Sequence, residues 1–269
     1  MDRYAVIGNP VAHSRSPQIH AAFARATGQE IEYGRLLAPL DGFAQVVAEF
    51  RGGGGCGVNV TVPFKEDAFN LSRMLSNRAR AAGAVNTLRF DAEGIFGDNT
   101  DGAGLVADLR TNLHVVLKGR RILLVGAGGA ARGVLQPLVA EQPALLVIAN
   151  RSEEKARALA SAAGGLVRAS RFEELRGEAF DVVINATSAS LAREVPQLPA
   201  KLFLPGAIAY DMMYAKDDTP FMAWARAQRA ARIADGLGML VEQAAESFYV
   251  WRGVRPDTAP VLAVLRAVS

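Results

Sequence analysis

The sequence predicts an α/β protein of two domains, the second built on a doubly wound parallel sheet, and three observations carry that reading. Short apolar runs of strand length alternate with longer stretches of helical period along the 269 residues. One apolar run, residues 122–125, feeds directly into Gly126-Ala127-Gly128-Gly129-Ala130-Ala131 and then a helix-like segment. The composition, 50% hydrophobic and 21% charged, is that of an ordinary globular chain, and no internal repeat or low-complexity tract interrupts it.

The first strand is expected over residues 3–8, followed by a loop over 9–16 and a helix over 17–26. Ser16 before Pro17 reads as an N-cap hydroxyl with proline at the first helical position. His20, on this helix, reads as a surface residue. A second strand at 32–37 and a helix at 41–50 lead into the breaking glycine run 52–55, and a third strand at 56–61 stops at Pro63. Helical segments run to about residue 82. Strands at 84–90 and 95–98 follow, joined by the turn Asp91-Ala92-Glu93-Gly94.

After Asn99-Thr100-Asp101-Gly102 a helix to about residue 113 opens a second βα series, with strands at 121–125, 145–149, 182–185 and 207–211. The final stretch is helical over 237–251 and 257–267. The domain boundary falls near Asp101, and the last helices fit against either half. Trp224 and Trp251 read as core.

Several function classes are excluded at this level. Thirty basic against 27 acidic residues leave a formal charge of +3 with no Lys/Arg-rich run, which argues against a nucleic-acid surface. The lone Cys56 forms no intrachain disulfide, and Met1 leads straight into a strand, so a cytoplasmic protein without a signal peptide is expected. No apolar run approaches the roughly 20 residues of a membrane span. His13, His20, His114 and Cys56 lack metal-ligand spacing, so no metal is expected.

The strongest local signal is the strand-to-helix turn at Gly126 to Ala131. Gly126 permits the tight turn, Gly128 lets backbone approach a pyrophosphate, and the small Ala131 allows helix and strand to pack closely. The helix N-terminus offers free N–H groups to the anion. The strand, turn and helix lengths favour a Rossmann-like dinucleotide site here over an ordinary strand-to-helix turn. The next strand ends in Asn150-Arg151-Ser152-Glu153-Glu154-Lys155. Basic residues at this position suit a 2′-phosphate, so Arg151 and Lys155, helped by Asn150 and Ser152, point to NADP, while Glu153 leaves use of NAD open.

The first half gathers polar residues where strands end: Ser14 and Ser16 in the first loop, Thr61 and Lys65 after the third strand, then Asn86 and Asp101. Hydroxyls, an amide, one ammonium and one carboxylate together suit a small polyhydroxy acid. Singly, each has a blander reading as a cap, turn residue or surface cation.

In order along the chain, His13-Ser14-Arg15-Ser16-Pro17, Asn59-Val60-Thr61-Val62-Pro63-Phe64-Lys65, Gly83-Ala84-Val85-Asn86-Thr87, Gly97-Asp98-Asn99-Thr100-Asp101-Gly102 and the glycine loop resemble the successive motifs of shikimate dehydrogenases. Asn185-Ala186-Thr187-Ser188, Tyr210-Asp211-Met212-Met213-Tyr214, Asp235-Gly236-Leu237-Gly238-Met239-Leu240 and Gln243-Ala244 continue the resemblance over essentially the whole chain. It implies NADP-dependent, reversible reduction of 3-dehydroshikimate to shikimate in aromatic amino-acid biosynthesis, with Lys65 and Asp101 as the catalytic pair. It further implies Ser14, Ser16, Thr61, Asn86, Tyr214 and Gln243 on the substrate, and Thr187, Met212 and Gly236 beside the nicotinamide. The last helices would return to the first domain, giving a substrate domain of 1–102 with 237–269 and a cofactor domain of 103–236.

Two positions depart from the family pattern: Ser190 stands where glycine is common, and Asn77 where an acidic residue is common. Hydride addition to a ketone needs a proton for the developing oxyanion, which Lys65 would donate while Asp101 holds it in place. A cleft between two domains, closing on short glycine-containing connections, would bring cofactor and acid together. Alternatives are a quinate/shikimate paralogue tolerant of NAD and a non-catalytic NADP-binding sensor; monomer and homodimer both remain open.

Overall fold

The computed structural model describes residues 1–165, 167–187, 189 and 194–267. Packing divides the described residues into two units, one of Met1–Gly104 together with residues 240–267, the other of Leu105–Met239.

The first unit runs β1 (Asp2–Gly8), α1 (Ser16–Thr27), β2 (Ile31–Leu37), α2 (Phe43–Gly52), β3 (Gly55–Val60), α3 (Lys65–Leu71), β4 (Met74–Leu75), α4 (Asn77–Ala82), β5 (Thr87–Asp91), β6 (Gly94–Asp98) and the start of α5 (Asp101–Ala107). Its strands lie in the order β2-β1-β3-β5-β6-β4. β1 is parallel to β2 and β3, whereas β5 runs antiparallel to both β3 and β6. Side chains alternate across the sheet. Ala5, Ile7, Val58 and Val60 share a core cluster with Phe43, Val47 and Phe64. Tyr4, from the other set, stacks on Trp251 at 4.6 Å, and Phe23 of α1 meets Phe248 edge-on at 6.0 Å.

The second unit continues with β7 (Arg121–Val125), α6 (Gly129–Ala140), β8 (Leu145–Ala149), α7 (Glu153–Ala163), β9 (Val167–Ser170), β10 (Phe180–Asn185), β11 (Phe203–Asp211), α8 (Pro220–Ala227) and β12 (Arg232–Ala234). All pairings are parallel, in the order β12-β11-β10-β7-β8-β9. Both faces of this sheet are covered. Ile122, Leu124, Leu146 and Ile148 enter one core, and Leu123, Val125, Val147 and Ala149 the other. Continuous apolar runs of this kind mark strands buried on both sides. Helices α9 (Leu237–Arg252) and α10 (Ala259–Ala267) end the chain order, with residues 240–267 belonging to the first unit.

Several details differ from the sequence reading. Arg15, with φ −85° and ψ −5°, takes the N-cap of α1 without capping it by its own side chain, so Ser16 is the first helical residue and its N–H donates to the Ser14 hydroxyl at 3.3 Å. The strand expected from residue 84 begins at Thr87, because Val85 N–H donates to the Lys65 carbonyl at 2.9 Å. The helix from Asp101 ends at Ala107 and continues as a π-helical turn over Asp108–Asn112. β4, β9 and β12, of two, four and three residues, are too short to register as apolar runs. His20 is not at the surface. It is fully buried, its ring stacked on Tyr33 at 4.3 Å beneath Phe248 and Trp251 of α9. Trp251 is partly buried, with its indole N–H donating to the Leu88 carbonyl at 3.0 Å. Among the described residues no helix is long and apolar enough to cross a membrane.

Candidate active site

Register brings the polar residues of the first unit to one end of its sheet. β1 and β3 are parallel neighbours with Ile7 opposite Val60, so the loops that follow them start side by side. Asn9 N–H donates to Val62 O at 3.0 Å and Thr61 N–H to Ile7 O at 3.0 Å. Antiparallel β5 pairs Thr87 with Asn59, and β6 pairs Asp98 with Thr87, so the start of β5 and the end of β6 reach the same edge. Ser14 and Ser16 sit on the loop after β1 with their hydroxyls 3.1 Å apart, and Arg35 holds the Ser14 carbonyl at 2.6 Å.

At this edge Lys65, the first residue of α3, places Nζ 2.5 Å from Asp101 Oδ2. The carboxylate is buried while about a quarter of the lysine side chain (24%) is exposed, so the ammonium is the accessible member. Asp101 Oδ1 accepts from Asn86 Nδ2 at 2.9 Å. Asn86 Oδ1 in turn accepts from Thr100 N–H at 2.8 Å, which fixes which end of the amide faces the carboxylate. Gln243 of α9 joins the same group, its Oε1 3.2 Å from Asn86 Nδ2. Charge-assisted bonds to both carboxylate oxygens leave Asp101 little freedom to rotate.

Polar partners that the sequence reading left unassigned stand behind this cluster. Asn59 Nδ2 reaches Thr87 Oγ1 at 3.2 Å and Ser247 Oγ at 2.9 Å, and Asn59 Oδ1 accepts from the Tyr33 hydroxyl at 2.7 Å. Burial pushes the Tyr33 phenol well above its ordinary range, so it remains a donor. Asp98 is buried with a two-pronged bond from Arg78, Nε to Oδ1 at 2.7 Å and Nη2 to Oδ2 at 2.6 Å, and Arg78 also reaches Glu246 at 2.8 Å. Burial alone would raise the Asp98 carboxyl; Arg78 outweighs it and holds the group below the usual carboxylate range. The signal that could have found these residues is polarity at strand positions otherwise flanked by apolar ones, as at Asn59 between Val58 and Val60.

In the second unit the candidate cofactor residues follow the carboxyl ends of parallel strands, the usual place for a ligand in such a sheet. Strand order reverses between β7 and β10, and Gly126 lies there with φ +109°. A Cβ on Gly126 would approach Thr187 Cγ2 to 3.0 Å, so turn and close approach both require glycine. Gly128 occupies the N-cap of α6 with no side-chain cap, leaving the first N–H groups of a 12-residue helix to an anion. After β8, Arg151 and Lys155 are exposed and make no ion pair among the described residues, while Asn150 Nδ2 donates to Ser152 O at 2.9 Å. Glu153 is engaged by Arg157 and by Arg171 at 2.9 Å; desolvation by itself would raise its carboxyl, and the two guanidiniums together outweigh it and hold the group lowered.

After β10, Thr187 Oγ1 donates to Asn185 Oδ1 at 2.7 Å, and Asn185 Nδ2 to Asp211 at 3.0 Å. Met212 N–H donates to Asn185 O at 2.9 Å, and a Cβ on Gly236 would lie 2.2 Å from Met212 O. Thr187, Met212 and Gly236 are therefore held as one group, with Tyr214 two residues beyond Met212 in the same unit. Asn77 is the first residue of α4, behind the Ser76 cap. Ser190 lies outside the described residues. Among those residues no group of three His, Cys, Asp or Glu side chains is arranged to hold a metal ion.

Three family models match this chain in order: the shikimate dehydrogenase substrate binding domain over residues 6–88, shikimate/quinate 5-dehydrogenase over 108–194, and the shikimate 5′-dehydrogenase C-terminal domain over 236–266. A shikimate dehydrogenase (NADP(+)) of Aromatoleum aromaticum is 63% identical, covering 99% of this chain and 97% of its own. Among solved structures, an Ael1 enzyme from Pseudomonas putida superposes with a TM-score of 0.94 at 51% identity, covering 98% of each chain. Shikimate 5-dehydrogenase from Thermus thermophilus, solved in complex with NADP(H) and shikimate, gives 0.89 at 34% identity over 100% of both.

Proposed function

The chain belongs to the shikimate dehydrogenase family, and from that membership we propose that it is an NADP-dependent oxidoreductase interconverting 3-dehydroshikimate and shikimate in the cytoplasm, within aromatic amino-acid biosynthesis. The observation that carries the reading is the Lys65–Asp101 pair at 2.5 Å, its carboxylate oriented by Asn86. The curated relatives' NADP(+) names, the exposed Arg151 and Lys155 and the engagement of Glu153 by two arginines support NADP rather than NAD.

When bound, NADPH supplies the hydride that reduces the ketone; the protein contributes position and the proton. Negative charge develops on the carbonyl oxygen as the carbon is reduced, and the Lys65 ammonium both stabilises that charge and donates a proton to it. Asp101 aims the lysine and keeps its second oxygen for Asn86 and a substrate hydroxyl. In the oxidative direction the same nitrogen takes the proton. Ser14 and Ser16 bind the substrate carboxylate, and Thr61, Asn86, Tyr214 and Gln243 its remaining oxygens. Gly126 to Ala130 cradle the pyrophosphate, Asn150, Arg151, Ser152 and Lys155 the adenosine end, and Thr187, Met212 and Gly236 flank the nicotinamide. On this reading residues 1–102 with 237–269 form the substrate domain and 103–236 the cofactor domain.

The test is a spectrophotometric assay of reduced nicotinamide with shikimate or quinate and NADP or NAD in all four combinations. Turnover confined to shikimate with NADP supports the assignment. Comparable rates with quinate or NAD would replace it by a broader paralogue, and no turnover in any combination by a binding protein.

A further inference from the structure

We propose that Ser247, acting through Thr87, is a positioning residue for Asn86 and hence for Asp101, a role that rests on the acid–base reading of Lys65 and Asp101. A helix-interior serine ordinarily returns its hydroxyl to the carbonyl four residues back. Ser247 does this, donating to Gln243 O at 3.0 Å. Its oxygen is nevertheless surrounded, in a fully buried position, by Asn59 Nδ2 at 2.9 Å, Thr87 Oγ1 at 2.7 Å and Thr100 Oγ1 at 3.1 Å.

A hydroxyl has one proton and two acceptor positions. With its proton on the Gln243 carbonyl, Ser247 accepts along its two shortest contacts, from the Asn59 amide and the Thr87 hydroxyl. The Thr87 proton is thereby kept off Asn86 Oδ1, which lies 2.9 Å from Thr87 Oγ1. Asn86 Oδ1 is left to the Thr100 N–H at 2.8 Å, and its Nδ2 faces Asp101 Oδ1 and Thr100 Oγ1, each at 2.9 Å.

Without the Ser247 oxygen, the Thr87 proton turns to Asn86 Oδ1 and Asn59 loses its nearest acceptor. Both changes draw the Asn86 amide towards Thr87. Its bond to Asp101 lengthens, and the carboxylate gains freedom to rotate off Lys65. Ser247 thus ties helix α9 to the strand ends that carry the acid–base pair, without touching the reacting atoms.

The experiment compares Ser247→Ala, Thr87→Val, the double variant Ser247→Ala/Thr87→Val and Ser247→Cys in the full chain, with kcat and KM measured separately and folding followed by thermal unfolding. Ser247→Ala is expected to lower kcat roughly five- to tenfold with KM values held within about twofold; Thr87→Val, which leaves no proton to turn on Asn86, is expected to hold kcat within about twofold by itself and to recover most of the loss in the double variant. Unchanged kcat in Ser247→Ala overturns the proposal, as does an equal loss in Ser247→Ala and the double variant, which would mark a packing effect. If Ser247→Ala does not fold, Ser247→Cys, whose sulfur is a weak acceptor, takes its place, and unchanged kcat there overturns the proposal. An unaltered protein that turns over no substrate refutes the underlying reading and the proposal with it, whereas an active protein matched by its variants refutes the proposal only.

Discussion

His20 should make the first unit acid-labile well before its carboxylates titrate. The imidazole is fully buried and neither ring nitrogen makes a well-formed hydrogen bond, the nearby Asn59 side chain offsetting only part of the desolvation. Desolvation therefore pushes it down from 6.5 to about 3. The unfolded chain takes up the proton near 6.5 and the folded chain only near 3. Between those values the unfolded state holds one more proton, so stability is complete above 6.5 and declines as pH falls towards 3. Each unit inside the window costs about 1.4 kcal/mol, which amounts to about 2 kcal/mol by about pH 5.

His20→Phe keeps an aromatic ring against Tyr33 and removes the titration. It also removes two buried polar atoms without partners, so a gain of about 1 kcal/mol at about pH 7 is expected from the lifted desolvation cost. Urea unfolding followed by tryptophan fluorescence suits the test, since Trp251 lies 5.3 Å from the His20 ring. The difference between wild type and variant should widen steadily from about pH 7 to about pH 5. Parallel curves across that range would refute the reasoning, because they would mean that the folded protein protonates His20 as readily as the unfolded chain.

Three further outcomes are expected. Lys65→Ala should lower kcat by roughly two to four orders of magnitude, the span of a positioned acid/base, with KM for shikimate changing far less; near-normal kcat would remove it from the chemistry. Arg151→Ala should cost roughly 1–3 kcal/mol of NADP affinity, a charge-assisted bond, while NAD affinity is unmoved, and titration calorimetry with both cofactors reads the contrast. Arg78→Met leaves the Asp98 carboxylate buried without its two-pronged partner and should destabilise the first unit by about 3–5 kcal/mol. Because Arg78 holds that carboxyl low, its contribution is present above the ordinary carboxylate range and fades as pH falls, so the loss measured by urea unfolding should shrink in acid.

Much of the second unit could be read directly from sequence because its strands are buried on both faces. The runs at 121–125 and 145–149 are uninterrupted and bounded by turns, and they form β7 and β8 over those same residues. Edge strands have no such run to display. Lys65, Asn86 and Asp101 were nameable from their motifs, and register at the end of one sheet brings them together. The supporting groups were not legible, because their meaning lies in partners far along the chain: Asn59 and Ser247 are separated by 188 positions. His20 failed for a related reason. Helical period shows that Ile19 and Phe23 face a core, but not that aromatic residues of α9 cover the neighbouring stripe.

The split composition of the first unit has a consequence for biogenesis. A chain leaving the ribosome from its N-terminus exposes residues 1–104 long before Leu240 is made. Until α9 emerges, Asn59, Thr87 and Thr100 lack the Ser247 oxygen, Arg78 lacks Glu246, and the stripe around His20 stays uncovered. The Leu105–Met239 unit is contiguous and can condense on its own while the earlier segment waits. Maturation of the Lys65–Asp101 edge is therefore expected to be a late, long-range event, and nascent chains arrested short of α9 should display a finished parallel-sheet unit while the Lys65–Asp101 edge is still unfinished.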